Sequence, residues 1–468
     1  MKNIDRILFI AGPVLFLLVL LLPLPLDLPQ KNLAAIMALT VSWWLAPKIA
    51  LPVTGLIAIC LCSIMGVASF QDALKGFANP VIFLFMGGFF MAEAIHRHKV
   101  DQWIAEKCLS AHLVNGSPKR VMIMIAFLTA GFSAFLSNTA TAAMFMPIAI
   151  SLFHHLKVDK NHPSSGLLLL IAYAATIGGI ATPIGTPPNV IAISLLEKLV
   201  GTRIGFVQWM ALMVPTALIV MVALILLFRK ELNLLPSHTG MTKKPSPLTS
   251  NQKKVLVVMA MTMVLWILPS LASLGLGEHH EFSRLLLSRL PEGMVGVFMG
   301  TLLFFIPNGE GSQLLSWSDA QRIDWGTLIL FGAGISLGEL VFQTKLAAVI
   351  GSHLPFTILP FVLALLLLIA LTVFGSELVS NTAIANLLIP LTVATPPFDS
   401  QGVIPVLAVA LGSSLAFMMP VGTPPNAIAY GTGLVPLKSM LKKGIWLNLI
   451  SIGTILLMSL LYFKILVK

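Results

Sequence analysis

SNTATAAMFMP (Ser137–Pro147) returns as SNTAIANLLIP (Ser380–Pro390), identical at six of eleven positions. Each copy sets a polar triplet, Ser-Asn-Thr, inside a long apolar block. Hydroxyl and amide groups buried among apolar residues cost free energy unless they find partners. A second phrase repeats too: PIGTPPNVIA (183–192) and PVGTPPNAIA (420–429) agree at eight of ten positions. Each follows its triplet at a similar distance, so the repeated unit is a Ser-Asn-Thr block and then a segment carrying Gly-Thr-Pro-Pro-Asn. Chance recurrence of common apolar residues does not preserve both length and order.

Composition sets the solvent. The 468 residues are 57% hydrophobic and 10% charged, with mean hydropathy +0.95. A soluble chain carries roughly a quarter charged residues. The apolar runs are about 20 residues long and do not alternate, so the expected fold is an all-α polytopic membrane protein rather than a β-barrel. The N-terminal run is read as a first transmembrane helix, since no small-residue cleavage site follows it.

Spans are predicted near 7–26, 31–48, 51–70, 77–96, 165–198, 207–229, 254–276, 292–307, 325–343, 402–436 and 444–466. That makes eleven spans. Two longer blocks, 121–153 and 356–398, are centred on the Ser-Asn-Thr triplets and are read as re-entrant hairpins. With a cytoplasmic N-terminus, 20 of the 29 Lys and Arg fall inside and nine outside, as the positive-inside rule requires. Basic segments facing anionic lipid headgroups account for the net charge of +11 without nucleic acid. The polar stretch 229–254 reads as a cytoplasmic linker. Within 96–120, Val100, Trp103, Ile104, Leu109 and Leu113 sketch one face of an amphipathic helix on the inner membrane surface.

Five spans separate the two triplet blocks, so the hairpins enter from opposite faces. This is an inverted-topology repeat with broken helices, the architecture of secondary transporters. Pro187, Pro188, Pro424 and Pro425 break their helices, and Gly185 and Gly422 are expected to let the backbone turn sharply. Freed carbonyls suit a small hard cation; half-helix N-termini, with the Asn and Thr of each triplet, suit an anion. Duplicated parts fit a ligand with two anionic ends. No Lys or Arg lies within either motif pair, so bound cations would have to supply the missing charge.

These paired motifs resemble those of the divalent anion:sodium symporter family. SSLAFMMPVGTPPNAIA (413–429) is similar to the family's signature nearly throughout, with Ala429 in place of its usual closing Val. The resemblance covers essentially the whole chain. It implies a homodimer in a bacterial inner membrane, N-terminus cytoplasmic, working by an elevator motion. Scaffold helices and a surface helix would occupy 1–120, and a linker with further scaffold helices 236–355; the transport-domain halves would be 121–235 and 356–468. It further implies a first sodium site at Ser133, Ser137, Asn138 and Gly185 and a second at Ser376, Ser380, Asn381 and Gly422. Ser376 stands where some relatives carry Thr, which keeps the hydroxyl. The substrate carboxylates would contact Asn138, Thr139, Asn381 and Thr382, with Thr186, Pro187, Thr423 and Pro424 lining the pocket. The implied activity is sodium-coupled uptake of C4-dicarboxylates such as succinate, malate or fumarate, with sodium as a co-transported ligand and no other cofactor. Sulfate or tricarboxylate transport, or sodium-independent exchange, are the alternatives. A channel would need a continuous pore, whereas broken helices in inverted repeats place closed sites at the midplane; an enzyme would need a catalytic dyad or metal-ligand cluster, and the spans show none in sequence.

Several residues stand apart from the motifs. Glu377 lies inside the second block and either supplies charge to the nearby sodium site or orients the hairpin through hydrogen bonds. Glu93 and Glu339 occupy rough repeat register and are expected to make structural ion pairs. His154–His155 and His279–His280 are adjacent and cannot converge on a metal from one helix. Cys60 and Cys62, two apart, should point to different faces, and with Cys108 they give no disulfide framework.

Overall fold

The computed structural model describes all residues except 1, 46–48, 110–116, 157, 159–161, 163, 236–246, 278–279, 310, 354 and 467–468. The middle of the predicted linker, Leu113 and His279 lie outside the described residues, as do the side chains of Cys108, His154 and His155. The described chain is helical apart from one isolated bridge, Pro307 to Gln313.

Among the described residues, five helices are long and apolar enough to cross a membrane: Pro80–Arg97, Phe206–Leu227, Ser250–Ser273, Trp325–Gln343 and Leu437–Tyr462. Glu281–Arg289 and Glu292–Leu302 form a further bent pair, turned by 56°. The predicted span at 292–307 therefore stops at Leu302, and turns follow it. Many remaining apolar segments are short helices, so a rule of about 20 apolar residues per span overstates their length.

Both Ser-Asn-Thr blocks fold as helix–turn–helix hairpins. The first has arms Pro118–Ser133 and Asn138–His155; the second has Phe361–Ser376 and Asn381–Val393. At 13 to 18 residues, the arms are roughly 20–27 Å long at about 1.5 Å per residue, short of the ~30 Å hydrocarbon core. Each Gly-Thr-Pro-Pro-Asn segment is a broken helix: Leu169–Gly179 then Pro187–Leu195, and Val403–Ser414 then Pro424–Gly431.

Glycine sets the closest helix packing. A Cβ on Gly87 would collide with the backbone of Gly296, and one on Gly293 with the carbonyl of Pro80, so Pro80–Arg97 and Glu292–Leu302 touch through backbone. Trp325–Gln343 packs on Leu51–Ile64 and also meets the second hairpin and first broken helix, where Gly334 faces Asn386 and Gly338 faces Pro390 and Leu195.

The predicted surface helix exists as Val100–Leu109. Val100 and Asp101 are buried, and the helix packs on the first hairpin arm, so its apolar side is turned into the protein. Burial raises the Asp101 carboxyl above its ordinary range. Cys60 is exposed and Cys62 buried, as their spacing predicts. Glu93 and Glu339 both make ion pairs, with Arg322 (3.9 Å) and with Lys198.

Candidate functional site

Both hairpin tips and both helix breaks meet around one cavity of about 660 Å³. Its wall includes Ser137, Asn138 and Thr139 from the first tip and Ser380, Asn381 and Thr382 from the second. Gly185, Thr186 and Pro187 come from one break, and Gly422, Thr423 and Pro424 from the other. Ser133 and Ser376 stand behind the wall, fully buried at the ends of the first arms. The one charged side chain among the described lining residues is Asp324, which caps Trp325–Gln343 through Thr327 N (2.9 Å). A second cavity of about 770 Å³ shares Phe89, Ser137 and Asp324 with the first and is lined also by Glu93, Asp101, Glu106 and Arg322.

In the first unit, Ser133 Oγ lies 2.6 Å from Asn138 Oδ1 and donates to the Ala175 carbonyl at 2.7 Å. The same amide position is 3.2 Å from the carbonyl oxygens of both Gly185 and Ala175. Oxygen atoms from a serine and two carbonyls thus surround the Asn138 amide, whose nitrogen, turned inward, donates to them. Turned the other way, the amide would add its own oxygen to theirs. An all-oxygen donor set of hydroxyl, amide and carbonyl groups fits a small hard cation. The second unit repeats the core of this frame: Ser376 Oγ lies 2.6 Å from the Asn381 side-chain amide and donates its hydrogen to the Ser413 carbonyl.

Each break is braced by the asparagine of its own motif. Asn189 Nδ2 donates to Gly179 O (3.0 Å) and Thr182 O (2.8 Å); Asn426 Nδ2 donates to Ala416 O (3.3 Å) and Met419 O (3.1 Å). Gly185 and Gly422 have no positive φ. Close approach, not sharp turning, requires them. A Cβ on Gly185 would strike the Gly179 carbonyl, and one on Gly422 would lie 2.8 Å from Glu377 Oε2. The half-helices after the breaks begin Pro-Pro, so their first two positions carry no N–H donor. The helix N-termini that face the cavity with N–H groups are those of the hairpin arms starting at Asn138 and Asn381.

A family model described as "Citrate transporter" matches residues 41–411. The sodium-dependent dicarboxylate transporter SdcS of Staphylococcus saprophyticus is 31% identical over 96% of this chain and 89% of its own length. SdcS of Staphylococcus aureus gives the same identity and the same coverage. The chain belongs to the divalent anion:sodium symporter family. It is therefore a multi-pass membrane transporter and not an enzyme. Two solved transporters share the fold at low identity. YdaH of Alcanivorax borkumensis superposes with TM-score 0.58 at 14% identity, covering 94% of this chain and 99% of that one. MtrF of Neisseria gonorrhoeae gives 0.53 at 12%, covering 95% and 96%.

Within this transporter Glu377 has a defined setting. It is 3% exposed. Its Oε1 accepts the N–H of Phe417 (2.6 Å) and Met418 (2.8 Å) and the side-chain amide of Asn448 (2.7 Å); Oε2 accepts the N–H of Met419 (2.9 Å). Among the described residues no basic side chain pairs with it. Through these hydrogen bonds it ties the second hairpin tip to the second break.

Sequence reasoning missed the bracing by Asn189 and Asn426, although both stand inside the repeated motif. It also missed Thr182, whose hydroxyl donates to the Ala134 carbonyl at the first tip. Asn448, Asp324 and Thr327 lie outside every repeat, and nothing in the linear sequence marks them.

Proposed function

We propose that this protein couples sodium to the uptake of C4-dicarboxylates such as succinate, malate or fumarate. The observation that carries the reading is the meeting of both Ser-Asn-Thr tips and both breaks around one cavity with no Lys or Arg among its described lining residues. A dianion held only by neutral donors and helix N-termini is under-compensated in a dry site, and cations bound at the neighbouring oxygens supply the balance. The proposed cation ligands are Ser133, Ser137, Asn138 and Gly185 in one unit and Ser376, Ser380, Asn381 and Gly422 in the other. Asn138, Thr139, Asn381 and Thr382 take the carboxylates, and Thr186, Pro187, Thr423 and Pro424 close the pocket. The names of the staphylococcal relatives support the substrate class.

The proposal extends to a homodimer with a cytoplasmic N-terminus, in which the two hairpin-and-break halves move as an elevator against the other helices. The tricarboxylate reading has one specific support, the description of the matching family model. The test is uptake of labelled succinate, citrate and sulfate into proteoliposomes with and without an inward sodium gradient. Succinate uptake that requires sodium and saturates is the expected result. Sodium-independent flux ends the coupling claim, and preference for citrate or sulfate reassigns the substrate. Ser137→Ala and Ser380→Ala are each expected to raise the sodium half-saturation more than they weaken intrinsic succinate affinity. An unchanged sodium dependence in both variants removes the two serines from the sites.

A further inference from the structure

We propose that Asn448 is a positioning residue for the second half of the site, acting through Glu377; its effect on transport rests on the sodium-coupled reading above. Asn448 lies on the last helix, Leu437–Leu466, is fully buried, and does not line the cavity. Its side-chain amide donates to Glu377 Oε1 at 2.7 Å, the oxygen that also takes the N–H groups of Phe417 and Met418. The other oxygen takes Met419 N–H. Three successive N–H groups of the break are thereby gathered on one carboxylate.

The chain continues directly into the cavity wall. Gly422 N donates to Met419 O at 3.1 Å, and Asn426 Nδ2 meets the same carbonyl at 3.1 Å. Gly422 in turn sits so near Glu377 Oε2 that a Cβ would crowd it. The line runs from Asn448 to Glu377, to residues 417–419, and then to Gly422 and Thr423 at the cavity.

The first unit lacks this pair. Glu377 stands three residues before Ser380, where the first unit has Ala134. Carrying the Gly-Thr-Pro-Pro-Asn register forward sets Trp209 opposite Trp446 and Ala211 opposite Asn448. Glu and Asn thus appear together in one copy where two alanines stand in the other. A carboxylate buried without a cation needs all its hydrogen bonds. With Asn448 gone, Oε1 keeps two donors and gains a void into which the side chain can swing. The break then loses its fixed point.

Hydrogen–deuterium exchange of the purified full-length protein tests this without reference to substrate. Asn448→Ala, and the milder Asn448→Ser, are expected to speed exchange in 415–423 about tenfold, the loss of one charge-assisted hydrogen bond, and to leave 180–186 unchanged. No change in 415–423, or an equal change in both breaks, overturns the proposal. In uptake assays, Asn448→Ala should raise the sodium half-saturation roughly tenfold, and Glu377→Gln with Asn448→Ala should be no worse than Glu377→Gln alone. Effects that multiply mean Asn448 does not act through Glu377. If the parent protein shows no sodium-dependent uptake, the transport reading fails while the exchange result still decides the role of Asn448.

Discussion

The two repeat units build the same wall on different foundations. In both, a serine ending the first hairpin arm meets the tip asparagine at 2.6 Å, and the motif asparagine braces the break. The supports behind the wall differ. The first tip is tied to its break by the Thr182 hydroxyl on a backbone carbonyl, the second by a buried carboxylate gathering four N–H donors. Ser137 caps its own helix through Ala140 N (3.1 Å), whereas Ser380 makes no such bond. Duplicated sequence marks the groups that face the ligand cavity. Divergence is tolerated where only the position of the backbone must be kept.

The largest expected effect tests the foundations. Glu377→Ala leaves four buried donors unanswered and should cost about 3–5 kcal/mol of stability, against about 1 kcal/mol for Thr182→Val. Thermal melting of the purified variants reads the difference, and equal losses would show that the two tethers are equivalent after all.

Next comes the wall itself. Asn138→Ala and Asn381→Ala should each weaken dicarboxylate binding about ten- to hundredfold, the cost of roughly 1–3 kcal/mol for an under-coordinated carboxylate. Binding measured at sodium saturating for each variant separates this from a cation defect. One variant behaving like the parent would mean that the ligand is not clamped between the units.

A smaller contrast lies one layer back. Gly179 and Ala416 are register equivalents, yet a Cβ on Gly179 would run into the Asn138 side chain. Gly179→Ala should therefore raise the sodium half-saturation several-fold, with a strain of about 1–2 kcal/mol. Ala416→Gly should change it by less than about twofold. The smallest effect belongs to Met419→Thr, which copies the first unit's hydroxyl into the second. With the break already fixed by Glu377, melting should move by no more than about 0.5 kcal/mol.

Much of this architecture is legible in the residues alone. The repeated triplets and proline pairs locate both hairpins, both breaks and the wall residues that these contribute, because helix-breaking and polar groups in an apolar chain are rare and must be used. The supports are not legible in the same way. Asn448 is one polar residue on a long apolar helix, and its partner is 71 positions away in sequence. Gly185 and Gly422 are expected from their type to supply a sharp turn, and each does close a turn onto the carbonyl three residues back, but glycine is required there because a neighbour's carbonyl or carboxylate comes so close. Contact distance cannot be read from residue type. The surface helix is visible in its pattern, but the burial of Val100 and Asp101 depends on what packs over it.

The second cavity shares Ser137 and Asp324 with the first and is lined by the carboxyls of Glu93, Asp101, Glu106 and Asp324 against the guanidinium of Arg322 and the imidazole of His96, which lies 3.4 Å from Asp101. Carboxyls outnumber basic groups in this lining, which favours a cation over an anion beside the site. Under the proposed coupling, sodium ions entering by this cavity would gather above their bulk concentration, while a dianion would be repelled over about one Debye length, about 8 Å at physiological salt. Inert electrolyte would screen those carboxyls, so dianion uptake by this route would quicken as ionic strength rises at fixed sodium.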